Sequence, residues 1–315
     1  MSTPELNYIG IDLSGPQVRA ALVNSNGKII QRLEAQVSPE NMVEQLAIIA
    51  RDLGAASGQI GAIGIAIPGL INRQTDRIVS SPNLPSNIRE DLHSELTRAI
   101  GLRVEIENDA NAGAYGEFIA GAGRGSRDIF YMMIGNGVGG AIILDGKLWT
   151  GSSGFAGEVG HITIDTEGLP CVCGNTGCLE TVASAPSIVR RARERLFRDS
   201  TSSLSRLGLN KNFTADDVAR QANEGDDFAL MMIERTGKYI GTGVASVINL
   251  LNIEKIILGG GVMIEAGQLL LNPIIQETKR RAFQPCFEAT QIVGAILGAD
   301  AVPIGAAMLA RDAAA

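Results

Sequence analysis

The sequence has no stretch of about 18 apolar residues free of charge and glycine breaks, so no membrane span is expected. Its start, MSTPELNYIGID, lacks a basic segment followed by an apolar one, so no secretory signal is expected. Positive charge is not in excess: 27 Lys and Arg face 34 Asp and Glu, a net charge of −7, which argues against a nucleic-acid surface. Cysteine is scarce. Four in 315 residues is too few for a disulfide scaffold, and the expected compartment is the cytoplasm. Aromatic residues make up 4% of the chain, and its 38 glycines follow no low-complexity period. No Pro/Ser-rich linker divides the sequence, and no helix-turn-helix pattern precedes residue 8.

What is present is a folding chain of two-domain length, 45% hydrophobic and 19% charged. Glycine this abundant points to tight turns and to backbone held close to a ligand. Tyr8–Asp12, Val18–Val23 and Lys28–Ile30 read as strands joined by turns at Leu13–Pro16 and Asn24–Gly27. Ser38 and Pro39 open a predicted helix with Met42, Val43, Leu46, Ile49, Ala50 and Leu53 on one face. A strand over Ile60–Ile67, a helix over 88–100 and a strand over Val104–Glu107 follow. The series strand, glycine turn, strand, turn, strand then recurs over 129–150, which predicts two copies of one α/β unit. Helices are expected at 186–200, 214–223, 227–251 and 303–312, with one interrupting strand, Lys255–Leu258.

Five segments carry chemistry. Asp12, at the end of the first strand before Ser14 and Gly15, suits a metal ion or metal-bound water near phosphates, or an ordinary turn. Gly135-Asn136-Gly137-Val138-Gly139-Gly140 lets backbone N–H groups converge on a phosphate, or forms a tight hairpin. It is neither a Rossmann fingerprint nor a P-loop, since a strand follows it and no Gly-Lys-Ser/Thr is present. Asn108-Asp109 sits where a strand ends, a place for a general base or for a helix N-cap. Gly259-Gly260-Gly261 suits close approach of a nucleotide base or a plain strand-to-helix turn. The strongest signal is His161 with Cys171, Cys173 and Cys178, the right donor count for a closed tetrahedral zinc site. Glu158 and Glu180 flank that loop and suit a polyol.

Together these segments resemble the ROK family of sugar kinases and related repressors, from residue 8 to about 310. The most specific parts are Glu107-Asn108-Asp109-Ala110-Asn111-Ala112, Gly157-Glu158-Val159-Gly160-His161 and Cys171-x-Cys173-Gly174-x-x-Gly177-Cys178-x-Glu180. The resemblance implies an actin-like, hexokinase-like (ribonuclease H-like) α/β fold of two lobes with a central cleft. The expected lobes are 1–117 plus 302–315, and 118–301 with a zinc-binding loop at about 161–180. It also implies roles. Asp109 is the general base. Gly69, Asn83, Asn108, Glu158, His161 and Glu180 bind the sugar. Asp12, Ser14, Gly15, Gly135, Asn136, Gly137, Gly139, Gly140, Gly259, Gly260 and Gly261 bind ATP with Mg²⁺. His161, Cys171, Cys173 and Cys178 hold a structural Zn²⁺, with His161 turning its other nitrogen to the sugar.

The implied reaction is phosphorylation of a hexose at its 6-hydroxyl, with glucose first. Alternatives are another sugar (N-acetylmannosamine, N-acetylglucosamine, fructose or mannose) or a non-catalytic sugar-binding regulator. A homodimer or tetramer without nucleic-acid or membrane partners is expected, as is the absence of the repressors' DNA-binding domain. Three positions depart from the family pattern. Asp12-Leu13-Ser14-Gly15-Pro16-Gln17 stands where Asp-x-Gly-Gly-Thr-Lys is usual, and Pro16 removes a hydroxyl and an N–H. Asn136 replaces a threonine, and Leu84-Pro85-Ser86-Asn87 replaces Leu-Pro-Gly-Trp. The first two bear on the phosphoryl donor, the third on the sugar.

Overall fold

The computed structural model describes residues 6–55, 59–75, 77–81, 92–196, 202–205 and 213–314. Asn83, Leu84–Asn87 and the helix ends expected at 88–91 and 197–200 lie outside these residues. Strands β1 (Asn7–Asp12), β2 (Gln17–Asn24) and β3 (Ile29–Gln36) form an antiparallel meander. Helix α1 (Met42–Ala55), β4 (Ile60–Ile67), the hairpin β5 (Leu70–Asn72) and β6 (Arg77–Ser80), α2 (Leu92–Ile100), β7 (Val104–Asn108) and α3 (Asp109–Ala120) follow. The second series is β8 (Ile129–Ile134), β9 (Val138–Leu144), β10 (Lys147–Trp149), α4 (Glu180–Ala183), α5 (Ala185–Leu196), α6 (Ala215–Asn223) and α7 (Asp227–Leu251). It continues with β11 (Lys255–Gly259), α8 (Gly261–Ala266), α9 (Gln268–Arg281), α10 (Gln284–Ala289), β12 (Gln291–Gly294) and α11 (Ala301–Ala314).

The repeat read from the sequence is present in the strand order. One sheet runs β3-β2-β1-β4-β7 and the other β10-β9-β8-β11-β12. Counting only the five strands of each sheet in chain order, and so leaving out the β5–β6 hairpin, each runs third, second, first, fourth, fifth. The parallel pairs β1–β4, β4–β7, β8–β11 and β11–β12 recur in the same places. The chain divides into two compact units, Met1–Ser126 with Ala141–Ala156 and Ala299–Ala315, and Arg127–Gly140 with Gly157–Gly298. The first includes Ala141–Ala156, a stretch that the lobe limits drawn from sequence count with the second.

In the first unit, alternation decides which face is filled. Ile9 and Ile11 of β1, Val18, Ala20 and Leu22 of β2, and Ile63, Ile65 and Ile67 of β4 share one core with Met42, Leu46 and Leu53 of α1 and Leu92 and Leu96 of α2. The opposite face is built by absence of side chains. A Cβ at Gly10 would lie 1.8 Å from Pro303 O, and one at Gly64 would lie 1.9 Å from Ala306 O, both in α11. Between helices, a Cβ at Gly116 would lie 2.0 Å from Ala301 O and one at Gly305 would lie 1.7 Å from Ala112 O. Only glycine lets the α11 backbone approach this closely.

Several elements differ from the sequence reading. Ser38 makes no side-chain cap: a 3-10 turn, Pro39–Asn41, precedes α1, and the Ser38 N–H donates to Gln45 Oε1 at 2.9 Å. The six-residue glycine turn is shorter, because β9 already begins at Val138. Among the described residues the last third holds two strands, not one. β12 is a four-residue edge strand with no buried residue, too short to show a period. The helical run of α8 to α10 was hidden by Gly267, at φ 53°, and by Pro273 inside α9.

Candidate functional site

In the first unit the β7–α3 junction carries the candidate base. Asn108 is the N-cap of α3: its Oδ1 accepts from Asn111 N at 3.0 Å, and its Nδ2 donates to Gly69 O at 2.9 Å. The capping role and the proximity of Asn108 to Gly69 therefore hold together. Gly69, at φ 121°, has Ser80 O 2.0 Å from where a Cβ would stand, so no other residue fits there. Asp109 opens the helix, is 9% exposed, and takes the Ala110 N–H on Oδ1 at 2.9 Å. A carboxylate at a helix N-terminus is favoured by the helix dipole.

At the end of β1, Asp12 is buried and accepts the Ser14 N–H at 2.8 Å, with Arg19 3.9 Å away. Burial pushes its carboxyl above the usual range, against the opposing pull of Ser14 and Arg19. The turn geometry foreseen as the plain alternative is realised, and it aligns the carboxylate with the Ser14–Gly15 segment.

In the second unit His161, Cys171, Cys173 and Cys178 converge, with their ligand atoms all within 4.8 Å of one another. Zinc bonds of ~2.3 Å to sulfur and ~2.0 Å to nitrogen at tetrahedral angles give edges of about 3.8 Å between sulfurs and about 3.5 Å from sulfur to nitrogen. Cys173 Sγ lies 3.7 Å from Cys178 Sγ, and Cys171 Sγ lies 3.5 Å from His161 Nδ1. The donor set and its spacing fit the ion. The loop closes through Cys171 N to Asn175 O at 2.8 Å and Gly174 N to Cys171 O at 3.0 Å. Gly174 and Gly177 adopt φ of 91° and 69°, and a Cβ at Gly177 would strike Asp165 O. Burial, with Cys171 and Cys173 beside it, pushes the Cys178 thiol up to about 12.

His161 uses its two nitrogens on different partners. Nδ1 faces Cys171, and Nε2 lies 3.9 Å from Glu158 Oε2. Burial raises the Glu158 carboxyl above its ordinary value, His161 opposes the rise and Glu180 adds to it. Glu180 also reaches the glycine turn: its Oε2 accepts the Val138 N–H at 2.8 Å, and a Cβ at Gly137 would lie 2.6 Å from that oxygen. The cysteine loop and the glycine turn are thus joined through one carboxylate.

The glycines of the turn divide by role. Gly135 has open space where a Cβ would point, whereas Gly140 is packed on Gly157 O, Phe130 and Val159. Gly259 and Gly260 are likewise packed, on Tyr131 and on the Ile134 backbone, and Gly261 faces open space. Gly260, at φ 90°, is the turn from β11 into α8. Beside Asn136 lies a cavity of about 550 Å³. Ala185, Pro186 and Val189 of α5, with Phe213, supply its apolar lining, and the Arg193 guanidinium sits 5.4 Å from the Phe213 ring centre. The Ala185 N–H donates to Gly135 O at 2.8 Å, fixing α5 to the turn.

Sequence reasoning passed over two residues at the β7–α3 junction. Glu107 is 8% exposed; its Oε1 accepts from Asn108 N at 2.8 Å and Asn111 Nδ2 at 3.0 Å, and its Oε2 meets the Arg73 guanidinium. A glutamate held at the end of an apolar strand was the available signal. Arg73 gave none, being 34 residues away in the chain. No helix among the described residues is long and apolar enough to cross a membrane.

The ROK family description matches residues 8–313 of the chain. A glucokinase of Halalkalibacterium halodurans is 37% identical, covering 97% of this chain and 95% of that protein. A xylose repressor of Bacillus subtilis is 29% identical, covering 96% of this chain and 77% of that protein. Among solved structures, a ROK family glucokinase from Streptomyces griseus in complex with glucose and AMPPNP superposes with a TM-score of 0.84 at 32% identity, covering 97% of this chain and 99% of that one.

Proposed function

The chain belongs to the ROK family, and on that premise we propose that it is an ATP-dependent sugar kinase acting on the 6-hydroxyl of glucose. The observation that carries this reading is Asp109, a buried carboxylate at a strand-to-helix junction in a chain 37% identical to a glucokinase. The sugar oxygen attacks the γ-phosphorus of ATP, its proton passes to a carboxylate oxygen of Asp109, and ADP leaves. With a loose transition state the base mainly orients the nucleophile, and positioning supplies most of the acceleration.

The other roles follow from the chemistry of each group. Asn108, Glu158, His161 and Glu180 supply hydrogen-bond partners for sugar hydroxyls, with Gly69 held alongside by Asn108. Asn83 belongs to the same proposal from its place in the motif. Asp12, with Ser14 and Gly15, serves the metal-bound phosphates, and the turn Gly135–Gly140 offers N–H groups to them. Gly259–Gly261 and the cavity beside Asn136, with its apolar lining, suit the nucleoside of the donor. A zinc ion held by His161, Cys171, Cys173 and Cys178 supplies rigidity to the loop and sets the tautomer of His161. Mg²⁺ supplies charge neutralisation at the phosphates.

A second reading, a sugar-binding regulator, is favoured by the xylose repressor likeness and by Pro16, which removes one donor from the first phosphate loop. One experiment separates the two. ADP release from Mg-ATP is followed with glucose, mannose, fructose, N-acetylglucosamine and N-acetylmannosamine, with Asp109→Asn alongside. Turnover with glucose that falls by about 10²–10⁴-fold in the variant, while glucose still raises its Tm, is the expected result. Silence with every sugar overturns the kinase reading, and an Asp109→Asn variant as fast as the parent removes Asp109 from the mechanism.

A further inference from the structure

We propose that Arg73 is a positioning residue for the phosphoryl acceptor site, acting on Asp109 through Glu107. The inference rests on the kinase reading for its link to turnover, and on geometry alone for its structural content. Arg73 lies in the turn between β5 and β6 and is one-third exposed at its side chain. Its guanidinium meets Glu107 Oε2. The other oxygen of Glu107 accepts both the Asn108 backbone N–H and the Asn111 side-chain amide, at 2.8 and 3.0 Å. Asn108 and Asn111 bracket Asp109, and they are bonded to each other through Asn108 Oδ1 and Asn111 N at 3.0 Å. One carboxylate therefore gathers three donors around the first turn of α3.

The charges explain why Arg73 is needed for this. Glu107 is nearly buried, and a buried carboxylate left without a cation is drawn toward water. That movement releases the Asn108 N–H or the Asn111 amide, and the first turn of α3 loses a fixed reference. Arg73 is itself anchored. Its N–H donates to Ser153 O at 3.1 Å, and the Gln74 side-chain amide donates to Ser152 O at 2.9 Å. A Cβ at Gly154 would lie 2.4 Å from Ile71 O, so that segment lies directly on the hairpin. The guanidinium is thus presented from a hairpin held at its backbone, and a displacement of about 1 Å at a reacting group costs on the order of 10²-fold in rate.

The test uses the full-length protein in four forms: parent, Arg73→Ala, Arg73→Lys and the double variant Arg73→Ala with Glu107→Gln. In the double variant the amide keeps an oxygen for Asn108 and Asn111 but carries no charge that requires a cation. Expected is a kcat lowered about 10–100-fold in Arg73→Ala with the sugar KM changed far less, a partial return in Arg73→Lys, and a larger return in the double variant. A merely structural arginine would not be rescued by removing its partner's charge. Arg73→Ala turning over like the parent, or a double variant as slow as Arg73→Ala, overturns the proposal. Amide hydrogen exchange of the segment 104–112 is read in parallel. Faster exchange in Arg73→Ala that the double variant reverses supports the positioning role whether or not the parent phosphorylates any sugar. Unchanged exchange overturns it. A parent without turnover overturns the kinase reading instead.

Discussion

At the scale of single residues, the first unit keeps an ionisable group where burial works against it. Asp12 is held above the ordinary carboxylate range by burial, despite the Ser14 N–H and Arg19. The sign of its effect on stability follows. Below the unfolded value both states are protonated and there is no penalty. As pH rises through the unfolded value toward the raised folded value, the unfolded chain ionises first and the folded state loses stability. The loss is complete above the folded value. Asp12→Asn keeps an oxygen for the Ser14 N–H and removes that charge. It should raise Tm at pH 7 and lose this advantage as the pH falls toward the ordinary aspartate value of 3.8. Thermal unfolding of both proteins across that range checks it. The same variant should weaken use of Mg-ATP, since stability and function conflict where a charge is buried for chemistry. A variant less stable than the parent at neutral pH would show that the Arg19 attraction outweighs desolvation.

Which residues were legible follows from how far apart their partners lie. Asp109, His161 and the three cysteines sit in short motifs whose spacing is itself the chemical statement. Ser14, Gly15 and Asp12 form a turn of adjacent residues, and the structure gives it. Glu107 stood in one of those motifs without a role, and its pairing with Arg73 was not legible, because their meeting depends on how the β5–β6 hairpin folds back toward β7. Glu180 was read only as a sugar ligand, and its bond to the Val138 N–H, 42 residues away, is visible only in three dimensions.

At the scale of elements, the glycines show where composition misleads. Their number suggests turns and ligand contacts, and part of them serve those ends. Gly10, Gly64 and Gly116 instead create flat backbone surfaces on which α11 lies, and Gly305 of α11 lets that helix close on α3, an arrangement with no periodic hydrophobic signature. Strand β1 and strand β4 were recognisable from their isoleucines, but not the reason for the glycine in the middle of each. Gly64→Ala tests the packing directly. Its methyl would stand 1.9 Å from a helix carbonyl oxygen, which no rotamer relieves. The expected cost is about 1–3 kcal/mol, the range for overpacking a filled interior. Urea unfolding of the variant measures it, with Gly101→Ala compared for a glycine that has no atom within 4 Å of its would-be Cβ but a φ of 74°. Strain without crowding acts at Gly101, and crowding without positive φ acts at Gly64. A Gly64→Ala protein as stable as the parent would mean that α11 shifts freely on the sheet.

At the scale of the whole molecule, the two five-stranded sheets share one strand order, but the two units are stabilised by different means. The first closes its sheet with apolar helices on one face and the α11 backbone on the other. The second contains all four candidate zinc ligands, in a loop of which Cys173 is exposed and Cys171 only partly covered. Such a loop has little apolar cover of its own, so on the proposed zinc reading the ion supplies much of its order. Ligand binding to the folded state alone stabilises it by about 4 kcal/mol when the free ligand is about a thousand times its Kd. Removing zinc should therefore act unevenly. Chelation is expected to lower the unfolding temperature of the second unit while amide exchange in β1, β4 and α11 stays unchanged, and calorimetry should then resolve two transitions where the zinc-loaded protein gives one or a closer pair. Restoring zinc should merge them. Cys173→Ser should reproduce the chelated profile without any chelator, and Cys286→Ser, outside the cluster, should not. A single transition displaced as a whole by chelation would mean that the metal loop governs both units together. No displacement at all would remove the ion from the account of stability and leave the four side chains as a cluster of thiols and an imidazole.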